Sequence, residues 1–248
     1  MCVAFARAGL HVCGVHLDRK ATLPNAERVA SEVRRLGREA HFFNVNAADA
    51  DRRAETVERM AAVLADRGDA GRLRVLAHSL AFGTLLPFVV EPVKDAITPA
   101  QMDMTLDVMA HSLVYWAQDV WRAGLFGDGS KIYAMTSEGS VRVVASYGAV
   151  SAAKSALESH CRQLAMEFAR NGSGVSVNAI RAGVTVTPAL MQIPEAQELI
   201  DHATRRNPSG RMTTVDDVAQ AIVRLSGEGT HWITGNVIGV DGGELVTG

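Results

Sequence analysis

Short apolar runs alternate along this chain with longer stretches whose apolar positions recur every three or four residues. That spacing predicts strands over 10–17, 40–45, 74–77, 131–136, 175–179 and 237–240, and helices over 23–36 (closed by Gly37), 52–67, 99–123, 147–170 and 215–225. Strand and helix follow one another in strict order, which implies a parallel sheet with helices on both faces. Right-handed crossovers then wind it into a doubly wound, three-layer, Rossmann-like α/β fold, with the ligand beyond the carboxyl ends of the strands. The run Asn171-Gly-Ser-Gly174 reads as a helix stop and turn, and Thr214 or Asp216 as a helix cap.

The 248 residues suffice for one large core, and no proline-rich, serine-rich or low-complexity stretch divides them, so a single domain over 1–248 is expected. A formal net charge of -2, with basic residues scattered among acids, offers no field for nucleic acid. Cys2, Cys13 and Cys161 form no CxxC pair, and the chain opens on no secretory leader, so neither a disulfide framework nor a zinc site is indicated. His111 and His160 likewise lack metal-ligand spacing. Apolar runs fall short of a bilayer's thickness. A soluble protein of the reducing cytoplasm, with no metal, is the expectation.

The chemistry concentrates in residues 146–154, SYGAVSAAK, where Tyr147 and Lys154 stand seven positions apart at the start of a helix. Seven residues make almost two turns, so both side chains can converge on one pocket. A phenol is a weak proton donor at neutral pH, and a nearby fixed cation favours its ionised form and eases the donation. Taken alone the spacing is a weak signal, since packing and solvated charge produce it too.

Together with four further segments, the pair resembles the short-chain dehydrogenase/reductase family and, within it, the divergent enoyl-[acyl carrier protein] reductase branch. The segments are His78-Ser-Leu-Ala-Phe82, Asp107-Val-Met-Ala-His-Ser112, Val177-Asn-Ala-Ile-Arg-Ala-Gly183 with Thr187-Pro188, and Ile233-Thr-Gly-Asn-Val-Ile-Gly-Val-Asp-Gly-Gly243. Most members of the family carry tyrosine four residues before the lysine, where Val150 stands here; the branch carries it seven before, at Tyr147. The resemblance implies that Tyr147 stabilises the enolate of a thioester substrate and that Lys154 binds the nicotinamide ribose. Ser137, seventeen residues before Lys154, stands where ordinary members keep a catalytic serine; a turn-forming role suits it equally. Met109 replaces the relay asparagine of ketone-reducing members.

The same resemblance assigns cofactor contacts to Asn44 and Val45 at the adenine, to His78, Ser79 and Leu80 past its ribose, and to Gly183, Val184 and Thr187 at the nicotinamide and pyrophosphate. For Ser79 and Thr187, local capping is the competing structural reading. His16 occupies the usual acid position at the end of the second family strand, and Arg19 and Lys20 follow Asp18, so the local balance leans to NADPH, with NADH as the alternative. Residues 184–206, with Pro188 and Pro194, correspond to a mobile lid over an acyl thioester carried on acyl carrier protein or coenzyme A. Met102, Met104, Met109 and Met191 suit either a soft acyl pocket or the core. Arg211 reads as an anchor of structure. Family members assemble as tetramers, which points to the 118–124 and 157–168 faces as contacts.

A dinucleotide fold opens with a strand and a glycine-rich turn. Residues 1–9 read instead as the end of the first helix, so the sheet is expected to lack that strand and to leave its neighbours unpaired. A different reductase, acting on a ketone or imine, a noncatalytic Rossmann-like binding protein and a structural subunit are the competing readings.

Overall fold

The computed structural model describes residues 1–67, 71–188, 190–193 and 196–247. Its elements run α1 (Cys2–Arg7), β1 (Val12–His16), α2 (Leu23–Arg35), β2 (Ala40–Asn44), α3 (Ala50–Ala65), β3 (Leu73–His78), α4 (Pro99–Leu106), α5 (Ser112–Arg122), β4 (Phe126–Thr136), α6 (Gly148–Arg170), β5 (Ser176–Ala182), α7 (Ala196–Arg206), α8 (Val215–Leu225) and β6 (Val237–Val240). Every ladder is parallel. The strands alternate their side chains between two helical layers, as period-two geometry requires. Phe43 packs with α3 and α5 while Phe42 packs with α1 and α2; Ile132 joins the α5 and α6 core while Tyr133 faces α1 and α8. The doubly wound, three-layer α/β fold is therefore present.

The hydrogen-bonded sheet comes in two pieces, β1 with β2 and β3-β4-β5-β6. Among the described residues no ladder joins β1 to β3, yet Cys13 and Val15 of β1 share a cluster with Leu73 and Leu76 of β3. The strands around that break pay for it in burial: Ala77 is exposed and β1 is half-buried beyond Val12, whereas Val177, Ala179 and Ile180 of β5 are fully enclosed.

Local chemistry explains the element boundaries. Thr98 and Gln101 form a capping box that starts α4, and Thr214 with Asp217 does the same for α8. Arg211 pairs with Asp217 and donates to the Met212 carbonyl, the anchoring role its sequence position suggests. The helix expected over 99–123 is interrupted by a π turn at Asp107–His111. Helix α7 was not foreseen, because few apolar residues mark its buried side, which rests on Ala196 and Ala203. Pro194 lies outside the described residues. Within the 157–168 stretch, Leu157, Cys161, Leu164 and Phe168 point into the chain's own core. Met109 is also core, 2% exposed, while Met191 is 53% exposed.

Candidate active site

The carboxyl ends of β3, β4 and β5 gather the chemistry. His78 ends β3 and is 6% exposed. Its Nε2 lies 2.8 Å from Ser112 Oγ, whose own proton goes to the Val108 carbonyl at 2.7 Å. The serine oxygen can then only accept, so His78 Nε2 carries the hydrogen and Nδ1 is a bare acceptor, buried without a partner. Burial first, and then the Lys154 charge, pull the imidazole down to about 3, so it is neutral. The π turn places Ser112 for this contact.

Lys154 lies on the buried side of α6, where its Nζ donates to the Met135 carbonyl at 2.7 Å and to the Leu80 carbonyl at 3.5 Å. Burial lowers its pKa to about 8, against the opposing pull of Glu158. Tyr147 caps the start of α6, immediately after Ser146, whose φ of 57° is in the left-handed region that few non-glycine residues adopt. Ser137 follows β4. Its buried Oγ makes no hydrogen bond of normal geometry, yet its hydroxyl is near enough to the phenol to offset part of the burial effect there. Gly139 permits this approach, since a Cβ on it would stand 2.6 Å from Tyr147 Cε1 and 3.3 Å from Ser137 Oγ. Burial dominates and raises the Tyr147 pKa. That corrects the expected lowering by Lys154, whose ammonium is turned to backbone carbonyls instead.

Two flanking groups complete the site. At the end of β1, His16 Nδ1 lies 2.7 Å from Asp18 Oδ2, and Asn44 brackets Asp18 by accepting its N–H at 2.8 Å and donating to its carbonyl at 2.9 Å. Thr22, and after it His16, hold the Asp18 carboxyl below its usual range. Arg19 and Lys20 are exposed beside it, and Val45 is half-buried. Beyond β5, a Cβ on Gly183 would collide with Thr213 Oγ1 and Glu244 Oε2. Glu244 Oε2 accepts the Val184 N–H at 3.2 Å. Thr187 Oγ1 accepts the Leu190 N–H at 3.1 Å, which is the local capping role, and Ser79 is exposed.

The structure thus brings together His78, Leu80 and Lys154 in one group, Ser137 with Tyr147 in a second, and His16 with Asn44 in a third. The unpartnered His78 Nδ1, near an ammonium that donates to main-chain carbonyls, and the unpartnered Ser137 Oγ beside the phenol fit a ligand rich in hydroxyl and carbonyl groups. Sequence reasoning missed Thr136, Glu158, Arg206 and Glu244. Glu158 could have been found from its spacing of one helical turn after Lys154; Glu244 carried no local signal. Among the described residues no group of three or more His, Cys, Asp or Glu is arranged to hold a metal, and no helix is long and apolar enough to cross a membrane.

The profile of the family described as Enoyl-(Acyl carrier protein) reductase matches residues 1–244. The chain belongs to this family. It is 30% identical over 181 residues to the enoyl-[acyl-carrier-protein] reductase [NADH] FabI of Aquifex aeolicus, a match that covers 72% of this chain and 64% of that protein. The chain therefore matches less than two thirds of that relative's length. The crystal structure of the Aquifex aeolicus VF5 enoyl-[acyl-carrier-protein] reductase (NADH) superposes with a TM-score of 0.80 at 24% identity, covering 100% of this chain and 90% of that one. A short chain dehydrogenase from Burkholderia cenocepacia in complex with NADP gives a TM-score of 0.80 at 24% identity, covering 98% and 92%. At such identities the two structures establish the fold alone.

Proposed function

We propose that this chain reduces the carbon-carbon double bond of an enoyl thioester, carried on acyl carrier protein or coenzyme A, with a nicotinamide dinucleotide. The observation that carries the reading is the Tyr147 phenol beside the unpartnered Ser137 hydroxyl, backed by buried Lys154. A phenol whose pKa is raised by burial stays protonated at neutral pH and remains a hydrogen-bond donor. Aimed at the thioester oxygen, it stabilises the negative charge that gathers there as the enolate forms. Ser137 supplies a second donor. Lys154 and the bare Nδ1 of His78 hold ribose hydroxyls, the ammonium donating and the imidazole accepting. Gly183, Val184 and Thr187 border the nicotinamide end, with Ser79 and Leu80 along the ribose. When bound, the reduced nicotinamide supplies the hydride to the β carbon.

NADPH is the dinucleotide this reading favours. Arg19 and Lys20 make no ion pair among the described residues, while the nearby Asp18 carboxylate is engaged by His16. The observation favouring NADH is Asp18 itself, an acid able to receive ribose hydroxyls. Homotetramer assembly in the cytoplasm completes the reading, with exposed Trp121 on α5, Met166 on α6 and Trp232 before β6 as apolar contacts. The test is to follow nicotinamide absorbance with a crotonyl thioester and, separately, an acetoacetyl thioester. Oxidation of NADPH by the crotonyl substrate supports the proposal; turnover of the acetoacetyl substrate alone replaces it with a ketone reductase.

A further inference from the structure

Lys154 is 6% exposed, and among the described residues its ammonium donates only to main-chain oxygens. Carbonyl dipoles alone are meagre compensation for a buried charge. One helical turn further along α6 stands Glu158, itself only 9% exposed, and its Oε1 accepts the Thr136 hydroxyl at 2.7 Å. Thr136 directly follows Met135, the residue whose carbonyl receives Lys154. Two consecutive residues of β4 therefore hold a lysine and a carboxylate that lie at i and i+4 on one helix face. Neither side chain has an ion-pair partner within 4.0 Å among the described residues, so each is the nearby opposite charge that the other's burial calls for.

Lys154 acts on His78 and Glu158 on Cys161, and Tyr147 opens the same helix. His78 at the end of β3 is neutral, Tyr147 at the start of α6 keeps its proton, and the Cys161 thiol is pushed up to about 12 by burial and then by the Glu158 charge. Glu158 is the charge that acts to keep Lys154 protonated.

We propose that Glu158, clamped by Thr136, is a positioning residue that keeps Lys154 an ammonium and fixes it for the ribose hydroxyls of the dinucleotide. The ligand in this inference rests on the reductase reading; the effect on the lysine does not. The test uses the full chain with 13C-labelled lysine and no cofactor, with the Lys154 Cε signal assigned through Lys154→Arg and titrated by NMR. In Glu158→Gln the midpoint should fall by about one pH unit, as expected for removing one opposite charge at short range. Thr136→Val and Glu158→Asp should lower it by less, since each leaves the carboxylate but loosens its place. An unchanged midpoint in folded Glu158→Gln overturns the proposal. Should that variant not fold, unchanged midpoints in both Thr136→Val and Glu158→Asp overturn it equally. If the lysine midpoint moves and no variant or parent reduces a crotonyl thioester, the positioning role stands and the reductase reading falls.

Discussion

The Glu244 carboxylate lies 3.0 Å from the Arg206 guanidinium, deep in the protein at 1% exposure. Its other oxygen holds the Val184 N–H, so one side chain ties both ends of the segment 184–206. Arg206 also bridges to Glu138, the residue after Ser137, and Thr247 donates to the Arg206 carbonyl. Removing Glu244 leaves the buried Arg206 with Glu138 alone and strips the Val184 N–H of its acceptor. Glu244→Ala is expected to lower stability by about 3 kcal/mol in denaturant unfolding, and to speed proteolysis within 184–206. Wild-type stability and cleavage in this variant would refute the clasp.

Neutral, buried His78 makes stability depend on acid. Its folded pKa, about 3, lies below the ordinary 6.5, so between those values the unfolded chain binds a proton the folded one refuses. Stability therefore falls as pH drops through 6.5 toward 3, by on the order of 4 kcal/mol for this residue alone. His78→Gln retains a donor for Ser112 but cannot titrate. Its stability between these pH values should fall less steeply than wild type, and parallel curves would exclude His78 as a source of the acid lability.

Much of this arrangement was legible in the sequence, for physical reasons that differ by residue. Helix α8 and strand β6 have the boundaries their periodicity marks, because capping by Thr214 and an uninterrupted apolar run are local signals. The π turn was not legible, since its register is set by packing of Met109 and Ala110 against the α6 layer. Spacing and resemblance single out Tyr147, Lys154 and Ser137 as candidates, yet burial raises the phenol's pKa where the sequence suggested a lowering. Which carbonyl receives a lysine depends on burial, which spacing does not report. Glu244 meets Arg206 across 38 residues, beyond the reach of any local pattern.

Tyr147→Phe should reduce enoyl-thioester kcat by roughly a hundredfold to a thousandfold, the cost of losing one donor to a developing oxyanion, with little change in stability. Gly139→Ala offers an independent check. A methyl there must displace the Tyr147 ring from 2.6 Å, so activity should fall while circular dichroism stays native. Full activity in Gly139→Ala would mean the phenol does not need its observed position.

Cofactor choice turns on two exposed cations. If Arg19 and Lys20 receive a 2′-phosphate, Arg19→Ala/Lys20→Ala should raise KM for NADPH by about tenfold or more and leave KM for NADH nearly unchanged, because only the first carries the extra anion. Equal changes for both dinucleotides would assign these side chains to solvent.

The divided sheet predicts a division in backbone protection. In a parallel sheet each strand directs alternate N–H groups to its two neighbours, so a strand paired on one edge only leaves half of them without a ladder partner. Strands β4 and β5 have neighbours on both sides, whereas β1 bonds only β2 and β3 only β4 among the described residues. Hydrogen exchange should therefore show amides in β1 and β3 that exchange at least roughly a hundredfold faster than those of β5, where Val177, Ala179 and Ile180 are wholly buried. The slow amides of β1 and β3 should alternate with the fast ones along each strand. Uniform protection through β1 and β3, equal to that of β5, would mean that another strand pairs the facing edges in solution, and the two-piece sheet would then be wrong.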